Sequence, residues 1–365
     1  MKKIILIPDS FKGSISSRKF CEIAEKEIRT KLPESEIISL PIADGGEGTI
    51  DSLNSVVGGN IIKVKTVNSL YENTQAEILR LDGKTYFIET AQAAGLPQIK
   101  GRENPEITTT YGMGKLIEYA ADCGAEEIIL ALGGSSTNDC GAGLLSYLGV
   151  DFYDKNGKTF IPAGGTLKNV TEIKFNRKFN RYKKINFKAM CDVTNPLYGE
   201  NGCSHIFAPQ KGADEKTVLR LEDGVKNFAK VCKKTLKKGI SSVSGAGAAG
   251  GLGFCCKAFL NAELVSGIDT LLSLFNFDKI VKGADMIITG EGCFDYQSLM
   301  GKTIGGIMRR SANVPVYVLC GKYKPFDYGE FNNIKSVISI SGNQDLITAL
   351  INAEENLKKA VQNMF

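Results

Sequence analysis

"KKIILIPDSFKGSISSRKFCEIAEKEIRTKL", residues 2–32, decides the fold. Its first part, KKIILIP (2–8), is a short apolar run that stops at Pro8-Asp9 and reads as a buried strand. SSRKFCEIAEKEIRTKL (16–32) then follows a helical period, with two serines placed to cap its start. Strand, short loop and helix make up the repeating unit of an α/β protein with a parallel sheet. Similar strands are expected at EIISLPI (36–42), EEIILALGG (126–134), ADMIITGEG (284–292), VPVYVLCG (314–321) and KSVISISG (335–342). The chain closes on DLITALINAEENLKKAVQNMF (345–365), which reads as one amphipathic helix.

The middle of the chain has a different texture. VKTVNSL (64–70), QAEILRLDGKTYFIET (75–90) and VDFYDKNGKTFIP (150–162) read as meandering strands, two of them turning at Asp-Gly or Asn-Gly pairs that favour antiparallel hairpins. The expected organisation is a doubly wound domain from both chain ends, residues 1–60 and 265–365. A mixed α/β domain over 61–264 interrupts it. The length of 365 residues suits this, since single cores stop growing near roughly 250–300 residues.

Composition removes several function classes. A net charge of +5, mild and spread along the chain, gives no argument for a nucleic-acid partner, and none is expected. The local basic run KVCKKTLKKG (230–239) reads as a solvated helix face. The first apolar run is too short for a secretory signal, and none approaches the roughly 20 residues of a membrane helix. The ten cysteines contain no C-x-x-C pair, so a reduced, cytoplasmic protein is expected. With one histidine, His205, metal sites built from two or three histidines cannot form within the chain. A Ser-His-Asp triad would have to use that same residue.

Five glycine-rich or polar clusters lie at or after these strands. PDSFKGSISS (8–17) places Asp9 at a strand tip with Ser10 and Lys12 in the turn; an anion site and a simple helix cap with a solvated lysine both fit. LPIADGGEGTID (40–51) frames Asp44 and Glu47 with Gly45 and Gly46, to hold a metal or substrate or else to cap the next helix. LGGSSTNDCGAGLLSYLG (132–149) supplies Ser135, Ser136, Thr137, Asn138 and Asp139, a composition suited to phosphate or carboxylate. SGAGAAGGLG (244–253) matches G-x-G-x-x-G formally, but the segment before it does not read as a strand, so the dinucleotide fingerprint fails. GEGCFDYQSLMGKT (290–303) offers Glu291, Asp295, Gln297 and Lys302; a Walker A reading fails because Tyr296 stands where glycine is needed. Acidic groups, lysines and many exposed amides, with almost no histidine, suit phosphoryl transfer, which depends on positioning and charge neutralisation.

Seven motifs in order, PDSFKGSISS, PIADGGEGT, LGGSSTNDCGAG, CDVTNPLYGENG, APQKGA, GAGAAGGLG and TGEGCFDYQSLMGK, resemble the bacterial class I glycerate kinases across nearly the whole chain. The resemblance implies a flavodoxin-like domain interrupted by a second α/β domain. It also implies ATP-dependent phosphorylation of D-glycerate with Mg²⁺, generally at the 2-position, with 3-phosphoglycerate the other product. It adds Asp192 and Asn195 from CDVTNPLYG and Gln210 and Lys211 from APQKG to the candidate residues.

In the resulting assignment, Asp192, Asp44, Lys12 and Lys302 are catalytic, and Glu47, Asp139, Glu291 and Asp295 hold the metal. Asp9, Ser10, Gly45, Gly46, Ser135, Ser136, Thr137, Asn138, Asn195, Gln210, Lys211 and Gln297 bind substrate or phosphate. Cys293 stands where the family usually has arginine, which leaves the choice of acceptor open. A kinase for another small hydroxy acid and a non-catalytic sensor of organic acids or nucleotides are the competing readings. The sequence favours neither a monomer nor a homo-oligomer.

Overall fold

Ile4, Ile5 and Leu6 are all fully buried, so the first strand is covered on both faces, the condition of a parallel sheet with helices on each side. The structure, a computed structural model, describes every residue except Lys12, Asp44, Gly45, Glu47, Met300, Gly301 and Glu330. Its strands, in chain order, are β1 (Lys3–Leu6), β2 (Glu36–Ser39), β3 (Asn60–Val67), β4 (Asn73–Arg80), β5 (Thr85–Glu89), β6 (Glu127–Ala131) and β7 (Val150–Tyr153). They continue as β8 (Thr159–Phe160), β9 (Glu172–Phe175), β10 (Asn186–Met190), β11 (Glu263–Val265), β12 (Met286–Phe294), β13 (Val316–Tyr323) and β14 (Ile334–Ser339). Contacts group the chain into two units: residues 1–44, 51–58 and 266–365 in one, 45–50 and 59–265 in the other.

The first unit contains a five-stranded sheet in the order β14-β13-β12-β1-β2, parallel throughout. Numbered within the unit, that order is 2-1-3-4-5, the doubly wound flavodoxin-like arrangement. Ser16 caps the helix Ser17–Lys31 by accepting the Lys19 N–H at 3.1 Å. Phe20, Ala24, Glu27 and Ile28 recur at helical spacing and are buried, while Arg29 and Lys31 sit in the last turn, where the helix dipole favours cations. Burying Phe20 contributes about 2–3 kcal/mol. Gln362 of the helix Ala353–Gln362 donates to Glu27 Oε2 at 2.7 Å.

The C-terminal segment corrects the expectation of a single helix. It breaks at Asn352 into Leu346–Ile351, which buries nothing, and Ala353–Gln362, which buries Leu357, Ala360 and Val361. EIISLPI also yields a shorter strand, ending at Ser39, two residues before Pro41, which has no N–H to offer a ladder.

The second unit holds a six-stranded sheet, β11-β10-β6-β5-β4-β3. β11, β10, β6 and β5 are parallel, and β4 and β3 complete it as antiparallel neighbours. Two expected hairpins form, β4–β5 across Asp82-Gly83 and β7–β8 across Asn156-Gly157. Because β5, β6 and β10 run the same way, their carboxyl ends deliver Glu89, Leu132 and Cys191 to one edge.

A glycine turn locks this edge. The helix Ala248–Phe259 opens irregularly, with Ala249, Gly250 and Gly251 at φ of 52°, 66° and 88°. The helix Glu215–Leu236 precedes that turn, so the formal G-x-G-x-x-G lies outside any strand–turn–helix unit. Gly250 lies so close to the 135–141 loop that a Cβ on it would sit 2.0 Å from the Thr137 carbonyl oxygen. Gly250→Ala is expected to destabilise the protein by about 2–3 kcal/mol in chemical denaturation. A loss below about 0.5 kcal/mol would show that the turn yields freely.

Candidate functional site

In the first unit, candidate residues gather at the carboxyl ends of β1 and β12. Beyond β1 the chain stays on the ladder, and the Asp9 N–H donates to the Gly290 carbonyl at 2.8 Å. Asp9 Oδ1 accepts the Ser10 N–H at 2.6 Å, and Oδ2 accepts the Thr303 hydroxyl at 2.8 Å. Thr303 opens the helix Thr303–Arg310, and exposed Lys302 is its N-cap. The aspartate therefore ties β1 to the start of a helix whose free amides favour anions.

Glu291 lies on β12, with Oε1 buried and without a hydrogen-bond partner among the described residues. Burial is the main reason its carboxyl is pushed up to about 7. The negative charges of Asp9 and Asp295 add to that, while the Ser298 hydroxyl and Lys302 oppose it. Asp295 builds the turn that follows. Its Oδ1 accepts the Gln297 N–H at 3.0 Å, its own N–H donates to Ser298 Oγ at 3.0 Å, and Oδ2 lies 3.6 Å from Lys324 Nζ. Gln297 is exposed at that turn. Cys293 pairs in register with exposed Lys322 on β13, so a lysine shares its face of the sheet on the neighbouring strand.

In the second unit, the polar loop after β6 is folded inward. Ser135, Ser136, Thr137, Asn138 and Asp139 are all buried. The Ser136 hydroxyl lies 2.9 Å from the Ala94 carbonyl and 3.0 Å from Ser69 Oγ, while the Ser136 carbonyl accepts the Thr108 hydroxyl at 2.9 Å. Asn138 donates through Nδ2 to Ser204 Oγ at 3.2 Å. Asn138 Oδ1 and Thr137 Oγ1 are without hydrogen-bond partners among the described residues.

Two of the candidate residues are buried among the hydrogen bonds of this loop. Asp139, expected as a metal ligand, accepts four hydrogen bonds: Oδ2 from the Thr110 N–H at 2.8 Å, the Thr110 hydroxyl at 2.9 Å and the Gly143 N–H at 3.2 Å, and Oδ1 from the Gly141 N–H at 3.1 Å. Burial raises its pKa and these donors pull it back. These bonds engage Oδ2 and tie the aspartate to the loop and to Thr110. Lys211, expected to bind substrate or phosphate, is only 1 % exposed. Its Nζ donates to Ser135 Oγ at 2.9 Å and to the Thr137 carbonyl at 2.7 Å, and burial drops its pKa to about 8. It holds the loop from beneath.

Asp192, just past β10, is exposed, as is Gln210 in the short turn before Lys211. Asn195 secures its own loop, donating to the Asn201 carbonyl at 2.9 Å and accepting the Gly247 N–H at 2.9 Å through its carbonyl. Gly46 is buried, and its carbonyl accepts the Thr49 hydroxyl at 2.8 Å. Lys12, Asp44, Gly45 and Glu47 lie outside the described residues. Among the described residues, no group of three histidines, cysteines or carboxylates is placed to hold a metal.

Two buried features escaped the sequence reading: Glu89 at the tip of β5, and the threonines Thr108, Thr109 and Thr110 beneath the polar loop. The first had a signal, since the Glu-Thr pair ends an apolar strand (FIET, 87–90). The threonines had none, because their partners lie elsewhere in the chain.

Comparison with known proteins joins these observations. The family model described as "Glycerate kinase family" matches residues 4–365. A glycerate kinase of Bacillus cereus ATCC 10987 is 41% identical, over 99% of this chain and 97% of its own. A glycerate 2-kinase of Escherichia coli K12 is 37% identical, with the same coverage of 99% and 97%. The crystal structure of a candidate glycerate kinase 2 from Salmonella typhimurium LT2 superposes with a TM-score of 0.86 at 33% identity, covering 100% of this chain and 97% of that one.

The raised pKa of Glu291 has a measurable consequence. A folded-state value above the unfolded one adds stability below the ordinary glutamate range, and this contribution is lost as pH rises through about 7. In metal-free buffer, the advantage in melting temperature of Glu291→Gln over the unsubstituted protein is expected to grow by at least about 2 °C between pH 5 and pH 8. A difference independent of pH would contradict the buried, charge-crowded setting of this carboxyl.

Proposed function

The chain belongs to the glycerate kinase family and is a kinase, and on that premise we propose that it transfers the γ-phosphoryl group of ATP to the 2-hydroxyl of D-glycerate, with Mg²⁺, giving 2-phosphoglycerate and ADP. The observation that carries this reading is the match of family and relatives over essentially the full length, together with Asp9, Glu291 and Lys302 near the carboxyl ends of β1 and β12. The name of the Escherichia coli relative supports the 2-position.

The donor set suits Mg²⁺. That ion takes one or two carboxylates and fills its remaining positions with phosphate oxygens and water, so a cage of three protein ligands is not required. Glu291 has a buried oxygen with no partner among the described residues, and Asp9 adds negative charge close by. These two would hold the ion, which when bound would neutralise phosphate charge.

Lys302, exposed at the start of the helix Thr303–Arg310, would neutralise phosphate charge, and the helix amides would orient it. An aspartate would accept a hydrogen bond from the glycerate hydroxyl and take its proton as the oxygen bonds to phosphorus. The bond from the γ-phosphorus to the bridging oxygen breaks, and ADP leaves. Lys322, next to Cys293, is the candidate to meet the substrate carboxylate in place of the arginine that the resemblance implies. The ten cysteines are all free, which suits a reducing cytoplasm, and among the described residues no helix is long and apolar enough to cross a membrane.

Purified protein with Mg-ATP and D-glycerate is expected to release ADP, and enolase added alone is expected to convert the product to phosphoenolpyruvate. ADP release without that conversion would identify the 3-phosphate. No ADP above a glycerate-free control would overturn the proposal and direct attention to another hydroxy acid.

A further inference from the structure

Glu89 ends β5 and is wholly buried. Its Oε1 accepts the N–H of Ile50, the second residue of the helix Thr49–Val57. Its Oε2 accepts from Gln92 Nε2 at 3.4 Å, and Gln92 Oε1 in turn accepts the Glu77 N–H at 3.0 Å. Thr49, also fully buried, turns its hydroxyl onto the Gly46 carbonyl. Residues 45–50 accordingly group with the unit that contains β5.

This is a costly way to start a helix. A serine, threonine, asparagine or aspartate immediately before the first turn satisfies the free amides at the surface. Here the acceptor comes from a strand end 39 residues away, and taking a carboxylate out of water costs several kcal/mol. What the buried carboxylate secures is the start of the helix at Thr49 and Ile50, which follows a glycine-rich segment of the sequence, glycine being the residue type that loses most conformational freedom when ordered. That segment also carries Asp44 and Glu47, the acidic pair singled out in the sequence.

We propose that Glu89 is a positioning residue, which pins the backbone at Thr49 and Ile50 to the end of β5 so that phosphoryl transfer can proceed. The proposal rests on the kinase reading above. Glu89 acts through its hydrogen bond to Ile50, and reach therefore matters more than charge.

Glu89→Gln keeps an acceptor at full length, Glu89→Asp keeps the charge one methylene short, and Glu89→Ala keeps neither. Glu89→Ala and Glu89→Asp are expected to lose about 10²-fold in kcat, with KM changed less than about threefold and the melting temperature nearly unchanged. Glu89→Gln is expected to stay within about fivefold of the unsubstituted enzyme. Without any substrate, amide exchange over residues 48–52 is expected to rise in Glu89→Ala and to stay protected in Glu89→Gln. Should Glu89→Ala fail to fold, Glu89→Asp carries the same comparison.

Glu89→Gln as inactive as Glu89→Ala would overturn the proposal in favour of a direct role for the charge. Losses that track melting temperature, or unchanged exchange over 48–52 in both shortened variants, would also overturn it. The exchange measurement reads the hold on the segment even if the unsubstituted protein makes no ADP, so failure of the kinase reading is distinguishable from failure of this one.

Discussion

The pairing of β1 with β12 is the constraint on which the first unit depends. Ile4, Ile5 and Leu6 lie in register with Met286, Ile287 and Ile288, joining segments 282 residues apart in one parallel ladder. Everything at the edge of that sheet inherits its position from this pairing. The Thr289 hydroxyl donates to the Ile7 carbonyl at 2.8 Å, Asp9 stays on the ladder beside Gly290, and Thr303 is drawn onto Asp9. Contacts this remote close a long loop before they stabilise anything, so the sheet is expected to form late in folding.

The second unit solves a different problem, that of keeping a polar loop in place inside the protein. Lys211 is buried without a carboxylate within ion-pair distance among the described residues, an arrangement that costs several kcal/mol unless its hydrogens find acceptors. Two of them reach the Ser135 hydroxyl and the Thr137 carbonyl, and Asp139 collects four donors from the same region. The loop is held by groups that cannot easily be replaced one at a time, because removing either partner strands a buried polar atom. That rigidity suits a reaction whose catalysis consists mainly of positioning.

Local pattern and long-range geometry divide what was legible in the sequence. The buried strands could be read because Ile4–Leu6 or Ile128–Ala131 form unbroken apolar runs, and the hairpins because Asp82-Gly83 and Asn156-Gly157 are turn pairs. The family resemblance rested on motifs that hold together in order, and family and fold both agree with it. What could not be read is where side chains point. Lys211 and Asp139 resemble ligands in sequence because both are charged and stand in polar motifs that contain glycine; their partners are Ser135, 76 residues from the lysine, and Thr110, 29 residues from the aspartate. The break at Asn352 was hidden because both flanking segments keep a helical period.

The central claim is that phosphoryl transfer takes place at the carboxyl edge of the β1–β12 pair. The most direct measurement is a crystal structure with Mg²⁺, D-glycerate and a non-hydrolysable ATP analogue. The account predicts the terminal phosphate within hydrogen-bonding distance of Lys302 and the metal on Glu291. Phosphates bound away from the ends of β1 and β12, with Glu291 left without a ligand, would contradict it.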